Sequence, residues 1–523
     1  MPLQRAFPQT DLVMDQTVPR LNGTCRWLLA PAFLIQLVPF LAIARYRLID
    51  GDEGFYLMAA KLVFKHKAPY RDFFFTQMPL SPYIYGLWMR VTGCGWVSAR
   101  VLCALLAALA GTILFAQVCA ETKRYAAGML AMVLFVSSTL VFAWFTIAKT
   151  FGLSAVFLLA AYSVFSRRRA RDFNRTAALA GLLMGFAVDV RLYLLGIVPV
   201  YLWWIWQDAN GRARLRTVLC FLAGFAIAVL PNVYFLALDP GAYLFGNLLF
   251  HAIRSDAGLM GNMGQKLLTV LELLLMGKGG NGLQMTLLLG VIFLLMGRMK
   301  SESGTARRAL QMAAALALIS CLPTPTYIQY FCLCIPFLIV AAVCSASGVL
   351  DSLKSGRMRR LAAGGALALA ALYAMASAKD YGRFSETGEG VGGIRDRARA
   401  SDWKIDGVRA VSRGIDELAA PGESVMSFWP GYYLESHHEP PPGFENNTGR
   451  ERADVLNPGE LSHYHIVSKE QIAGTLSSHK ARWVVLGNQE SMRIESKPYE
   501  DMLVASGYGA VRRIGHTSIW IAP

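Results

Sequence analysis

The sequence predicts a mainly α, polytopic membrane protein that ends in a small α/β domain. Three observations predict it. Apolar runs near the length of a bilayer span recur through the first three quarters of the chain. The connections between them are alternately basic and, where the outer ones are short, nearly uncharged. After residue 378 the composition turns polar, and helical stretches alternate with short β-rich ones.

Composition supports the class and excludes others. The 523 residues are 54% hydrophobic and 16% charged, with a mean hydropathy of +0.39; an average soluble domain is roughly 25% charged. The net charge of +16 does not point to nucleic acid. The arginines sit in short clusters between apolar runs, and no helix-turn-helix, aromatic RNA-binding strand or zinc-finger spacing accompanies them. Nine cysteines are scattered without a CxxC pair, which argues against a disulfide framework or a structural zinc. Cys332 and Cys334, two apart in an apolar run, read as small packing residues.

Taken in order, residues 1–26 form a polar N-terminal segment with Arg5, Arg20 and Arg26, expected to be cytoplasmic. The first span covers 27–44. Ala42-Ile43-Ala44 resembles a signal-peptidase site, but the run is longer than a signal core and reads as an uncleaved anchor. Further spans are expected near 97–119, 125–145, 148–166, 175–189, 192–207, 216–237, 284–299, 308–322, 327–348 and 360–378, about eleven in all. With the N-terminus inside, the inner loops hold Lys123-Arg124, then Arg167-Arg168-Arg169 with Arg171 and Arg175. Next come Arg212, Arg214 and Arg216; Arg298, Lys300, Arg307 and Arg308; and Lys354, Arg357, Arg359 and Arg360. The short outer connections hold little beyond Lys149 and Arg191. Residues 27–378 are therefore one transmembrane module whose first outer loop is 45–96, and 379–523 an extracytoplasmic α/β domain.

In the outer loop, Glu53–Lys67 reads as a helix on the membrane surface. Phe55, Met58, Leu62 and Phe64 would face lipid, and Lys61 and Lys65 form a polar stripe. A second helix is expected from Pro79 to the Thr92-Gly93 turn. Segment 238–283 reads as a functional loop with a flexible Gly277–Gly282 stretch. In the last domain, helices are expected at 406–419, 469–478 and 498–506, and strands at 425–429, 483–486 and 518–521. Pro440–Gly443 reads as a loop.

The chemistry concentrates at Asp50-Gly51-Asp52-Glu53-Gly54-Phe55-Tyr56, three carboxylates just past the mouth of a span, where charge is costly. A plainer reading is that Asp50 or Asp52 caps the next helix and Glu53 sits on its dipole. Ala68-Pro69-Tyr70-Arg71-Asp72 and Phe73-Phe74-Phe75-Thr76-Gln77-Met78-Pro79-Leu80 complete a patterned loop.

This constellation, with its many spans and C-terminal domain, resembles the GT-C superfamily of membrane glycosyltransferases, in particular the protein O-mannosyltransferase and lipid A aminoarabinose transferase branch. The resemblance implies a polyprenyl-phosphate sugar donor, inversion at the anomeric carbon and an extracytoplasmic acceptor: lipid, cell-envelope glycan or protein. It implies Asp52 and Glu53 as the catalytic pair, Asp52 taking the acceptor's hydroxyl proton. Gly185-Phe186-Ala187-Val188-Asp189-Val190-Arg191 resembles the family's Gly-rich span end leading to a cation, so Arg191 is expected on the donor phosphate. An Asp189–Arg191 ion pair, or an Arg snorkelling to the interface, is the alternative. The family's aminoarabinose branch has a Lys before a Pro-Pro-Leu turn where this chain has Gln77-Met78-Pro79-Leu80. Gln77 can hydrogen-bond a phosphate without adding charge, which puts an aminoarabinose donor, and lipid A with it, in doubt. Lys149, His251 or Arg254 would supply the missing cation.

His251 and Arg254, three apart, share a helix face that can grip substrate or simply be solvated. Asp50, Asp72, Tyr70 and Asp189 are further substrate-binding candidates. So are Tyr327, Gln329 and Tyr330, which open a span containing Pro336; an interfacial aromatic belt is the alternative there. Six of the eight histidines, including His437-His438 and His463-x-His465, lie in the last domain without a ligand spacing that fixes zinc. Some members of the family need a divalent metal and others do not, so no metal is assigned. A lipid-linked-sugar flippase and an oligosaccharide ligase or polymerase remain as other readings. The compact loops suggest a bacterial inner membrane, and Asn446-Asn447-Thr448 is a sequon on the expected outer side.

Overall fold

Among the described residues, helix fills most of each window that the sequence marks as a span. The computed structural model describes residues 23–167, 172–254, 257–276, 280–296, 304–392, 394, 397–488 and 497–523. The predicted 1–22 portion of the N-terminal segment, Arg168, Arg169, Arg171, Arg298 and Lys300, and 277–279 of the glycine-rich stretch lie outside the described residues.

The apolar helices run Leu29–Tyr46, Trp96–Thr122, Tyr125–Ser137 with Thr139–Phe145, Thr150–Ser166, Phe173–Val190, Val198–Asp208, Gly211–Val229 with Asn232–Leu238, Asn281–Met296, Gly304–Ser320, Ile335–Ser352 and Gly356–Ala376. Among the described residues, four helices are long and apolar enough to cross a membrane by length and composition, and six if each bent pair is one span. The bends have local causes. At the 65° bend Ser137 and Ser138 return their hydroxyls to the carbonyls of Val133 and Leu134, at 2.7 and 3.0 Å. Gln284 then accepts the freed Thr139 N–H at 2.9 Å. Pro231 interrupts the pair bent by 51°. Glycines let the Phe173–Val190 and Gly211–Val229 helices touch backbone to backbone. A Cβ on Gly181 would lie 2.0 Å from the Phe221 carbonyl oxygen, and one on Gly224 1.9 Å from that of Ala178.

The connections fall into two sets at opposite ends. Those expected inside touch one another: Arg124 pairs with Asp351, Thr305 donates to Glu121 at 2.6 Å, and Arg308 to Asp208 at 2.8 Å. The first loop and the C-terminal segment meet at the other end, where Trp429 donates its indole N–H to the Gly51 carbonyl at 2.9 Å.

The C-terminal segment builds a four-stranded sheet in the order β1-β2-β4-β3, from β1 (Val425–Ser427), β2 (Trp483–Leu486), β3 (Gly509–Ile514) and β4 (Thr517–Ile521). β1 and β2 are parallel; β2–β4 and β3–β4 are antiparallel. Helices Ile405–Leu418, Lys469–Ser477 and Lys497–Ala505 accompany it. Met426, Phe428, Val484, Leu486 and Leu503 form its own core, while Trp403, Ile405, Val425 and Trp429 join the core of the helical bundle. β3 is an addition to the expected elements.

One expectation is overturned here. Helix Gly51–Val63 does not offer Phe55, Met58 and Leu62 to lipid: all three are buried with Tyr433, Phe245 and Ile466. Lys61 donates to the carbonyls of Tyr433 and Ser436, at 2.6 and 2.9 Å, and Lys65 pairs with Glu439. The amphipathic face is real, but protein covers it. Segment 238–283 is also largely helical, through Pro240–Leu244, Phe250–Ile253 and Gly258–Leu271.

Candidate active site

The acidic turn serves as cap and as cavity wall together. Asp50 is the N-cap of helix Gly51–Val63: its Oδ1 accepts the Asp52 N–H at 3.1 Å, and Glu53 Oε1 accepts the Asp50 N–H at 2.8 Å. Glu53 turns inward. Its two oxygens accept from Arg100 Nε and Nη2, both at 2.6 Å, and Oε2 also takes the Ala148 N–H at 2.9 Å. Arg100 in turn donates to the Ala44 carbonyl at 2.9 Å. Helix Leu29–Tyr46, the acidic turn and the chain before Lys149 are thereby tied to one fully buried ion pair.

Asp50 and Asp52 face the other way, into a cavity of about 510 Å³. The Lys149 ammonium bridges them, 2.6 Å from Asp50 and 2.9 Å from Asp52. Lys149 is the N-cap of helix Thr150–Ser166, beyond a bent connection from Phe145, and its ammonium lies 5.2 Å from the Trp144 ring centre. The two carboxyls diverge. Burial dominates at Asp50 and raises its pKa despite Lys149. At Asp52, 46% exposed to a cavity deep in the protein, burial opposes ionisation too, but the Lys149 ammonium with Arg254 and Arg191 prevails and holds the pKa below the usual carboxylate value.

Arg191 ends helix Phe173–Val190. Its Nη1 donates to Thr150 Oγ1 at 2.7 Å, and its guanidinium lies 4.3, 5.0 and 5.3 Å from the rings of Phe151, Tyr193 and Tyr330. Arg254, Gln77, Tyr327 and Gln329 line the same cavity. His251 lines it as a neutral group: burial pushes its pKa down to about 4, and its Nε2–H donates to the Thr76 carbonyl at 3.0 Å. It is therefore not the missing cation at neutral pH.

Four candidates stand elsewhere. Glu53 is occupied by Arg100 and does not line the cavity. Asp189 makes no pair with Arg191; it accepts from Asn232 Nδ2 at 2.8 Å. Tyr70 donates to the Gln77 carbonyl at 2.6 Å, and Asp72 accepts the Ala68 N–H at 2.6 Å and pairs with Arg71, so both shape the loop that carries Gln77. Asn446 of the sequon is buried, with its amide on the Phe55 carbonyl.

Tyr56, Trp144, Phe151, Tyr193 and Asn247 also line the cavity and were missed. For Trp144, Phe151 and Tyr193, in or beside apolar runs, nothing in the residue type separates them from lipid-facing or core residues.

The fold has known relatives. Solved structures of ArnT from Cupriavidus metallidurans, bound to undecaprenyl phosphate and apo, superpose with TM-scores of 0.64 and 0.65. Each match covers 95% of this chain and 98% of that one, at 14% and 13% sequence identity. The chain has the fold of these ArnT structures. The mouse protein O-mannosyl-transferase TMEM260 is 30% identical over 197 residues, 35% of this chain. That match spans only 26% of the mouse protein's length. No family model matches the chain.

On this scaffold the acid pair does not suit a divalent cation. The Lys149 ammonium already stands between the carboxylates at 2.6 and 2.9 Å and offsets part of their charge, close to the roughly 2.0–2.6 Å at which Mg²⁺ or Ca²⁺ would sit. The paired histidines are spoken for as well: His437 meets Asp416 at 2.8 Å, His463 meets Asp239 at 2.9 Å, and His465 donates to the Arg71 carbonyl at 2.6 Å.

Proposed function

We propose that the protein is a membrane glycosyltransferase that moves a sugar from a polyprenyl-phosphate carrier to a hydroxyl-bearing acceptor. One observation carries the reading: a single cavity holds an ionised carboxylate, Asp52, facing the cations Lys149, Arg191 and Arg254. That is the charge arrangement which displacement of a lipid phosphate requires. The fold shared with ArnT supports it.

In this reading Asp52 removes the acceptor's hydroxyl proton as the oxygen bonds to the anomeric carbon. The carbon–oxygen bond to phosphate breaks on the opposite face, and its electron pair leaves with the polyprenyl phosphate. Arg191 and Arg254 hold that phosphate. Arg191 is oriented by Thr150 and the Phe151 and Tyr193 rings before substrate arrives, so little reorganisation is needed as charge develops. Gln77 adds a neutral hydrogen bond. Lys149 keeps Asp52 ionised, at the cost of part of its basicity. Asp50 caps the helix and shares Lys149, and Glu53 positions the turn through Arg100 without touching substrate. Tyr327, Gln329 and Tyr330 contact the sugar or acceptor, and His251 offers Nδ1 as a neutral acceptor. The C-terminal domain and the cavity face the extracytoplasmic side, as the basic loops at the other end imply.

The test is transfer from a panel of radiolabelled polyprenyl-phosphate sugars into membrane acceptors, with wild type and Asp52→Asn side by side. Transfer by wild type, reduced about a hundredfold or more in the variant, is the scale for losing a general base. Near wild-type transfer by Asp52→Asn would overturn the base assignment, and lipid flipping without transfer would overturn the enzyme reading.

A further inference from the structure

A second cavity, of about 540 Å³, opens beside the end of helix Leu29–Tyr46, between that helix, Phe142, the 381–386 segment and Lys404–Asp406. Its floor is apolar, with Ile43, Phe142 and Phe384, and its rim is charged, with Arg45, Lys404, Glu386 and Asp406. Arg45 and Asp406 neutralise each other across the mouth at 2.9 Å.

Arg47 also lines this cavity and not the first. Its guanidinium is 1% exposed and lies 5.2 Å from both the Trp144 and Phe384 ring centres. Nη1 donates to the Leu48 carbonyl at 2.8 Å, but Nε and Nη2 have no hydrogen-bond partner among the described residues. These two atoms form the side edge of the guanidinium. Arg100, close by, uses that same edge to grip both oxygens of Glu53 at 2.6 Å. A buried donor pair of this geometry matches two oxygens of one oxyanion, and leaving it unmatched is costly. Lys404 adds a second cation at the rim, and three cations against two carboxylates leave the lining net positive.

We propose that this cavity binds an amphiphile with a phosphate head and an apolar tail: the phosphate on the Arg47 edge and Lys404, the tail along Ile43 and Phe142. Phosphate is favoured because the guanidinium fork matches it in plane. A tail is favoured because the floor is apolar and continues from the end of a membrane helix. The site is separate from the Asp52 cavity and does not depend on the transfer reaction.

The test uses full-length protein in phosphatidylcholine nanodiscs and a fluorescent short-chain phosphatidylglycerol as probe. Unlabelled phosphatidylglycerol, phosphatidylcholine of equal chain length and glycerol 1-phosphate compete with it. Wild type should prefer phosphatidylglycerol over phosphatidylcholine about tenfold, the scale of one charge-assisted bond. Lys404→Glu, at an exposed position that does not threaten folding, should abolish that preference. Arg47→Lys, which keeps charge but loses the fork, should reduce it. No preference in wild type, or full preference in Lys404→Glu, overturns the proposal. Equal competition by glycerol 1-phosphate removes the tail and makes this a site for a free phosphate ester. Probe binding lost in Arg191→Gln but kept in Lys404→Glu would put the probe in the first cavity and also overturns it.

Discussion

Asp52 and Glu53 leave the same helical turn in different directions, and their surroundings could hardly differ more. Asp52 is 46% exposed to a polar cavity and shares one ammonium with Asp50. Glu53 has no exposed surface and accepts N–H groups from Asp50, Arg100 and Ala148. About 100° of rotation per helical residue is enough to send one carboxylate to chemistry and the other to architecture. An acidic pair in sequence is thus not an acidic pair in space.

The largest effect should come from the architectural member. Glu53→Ala leaves Arg100 buried without its partner, which costs about 3–5 kcal/mol. Thermal unfolding in detergent should show a strongly destabilised protein, and Glu53→Gln, which keeps one acceptor, should recover part of the loss. If Glu53→Ala unfolds like wild type but loses transfer, Glu53 belongs with the chemistry after all. Asp52→Asn should do the reverse, unfolding close to wild type while losing transfer about a hundredfold or more.

A pH series sharpens the contrast, because the cavity side carries the titrating groups. His251 has a folded pKa of about 4, against roughly 6.5 unfolded. The unfolded chain therefore binds the proton first as pH falls. The His251 contribution to stability should be full above pH ~6.5 and decline towards pH 4, with about 2 kcal/mol of it lost by pH ~5. Asp52, whose pKa is lowered, adds a loss only below the usual carboxylate range. The slope between pH ~6.5 and ~5 should flatten in His251→Gln, as read from unfolding midpoints. An unchanged slope in that variant would place the acid sensitivity elsewhere.

Much of this was legible in the sequence because it is written in period and composition. The run Trp-Val-Val-Leu marked β2 over the residues it occupies, Trp483–Leu486. The apolar windows landed on helices. β3 escaped because Arg512 and Arg513 interrupt an exposed edge strand that has little apolar face to reveal it. Helix Gly51–Val63 showed its apolar stripe plainly, but periodicity cannot say whether lipid or the Tyr433 region covers it. The cavity wall was hardest. Lys149 and Arg191 were visible as charges between spans, whereas Trp144 and Tyr193 come from the ends of apolar runs and Asn247 from a segment that read as a loop.

The smallest effect concerns what holds the acidic turn from outside. Trp429, far along the chain, donates to the Gly51 carbonyl at 2.9 Å and stacks on Trp96 at 5.8 Å. Gly54 lies against Gly431 so closely that a Cβ would come within 2.8 Å of its backbone. The C-terminal segment therefore bears on the backbone between Asp50 and Asp52, not merely on the surface of the helix. Trp429→Phe removes the N–H, a loss of about 1 kcal/mol, together with the five-membered part of a fully buried indole, which adds a packing loss. If that bond orients the turn, kcat should fall about fivefold with little change in KM, because a misaimed base affects the chemical step more than binding. A domain that merely stabilised the protein would lower the unfolding temperature and leave kcat of the folded fraction unchanged. The ratio of these two responses decides whether the Asp52 side of the turn is held from within, by Glu53 and Arg100 alone, or from both sides.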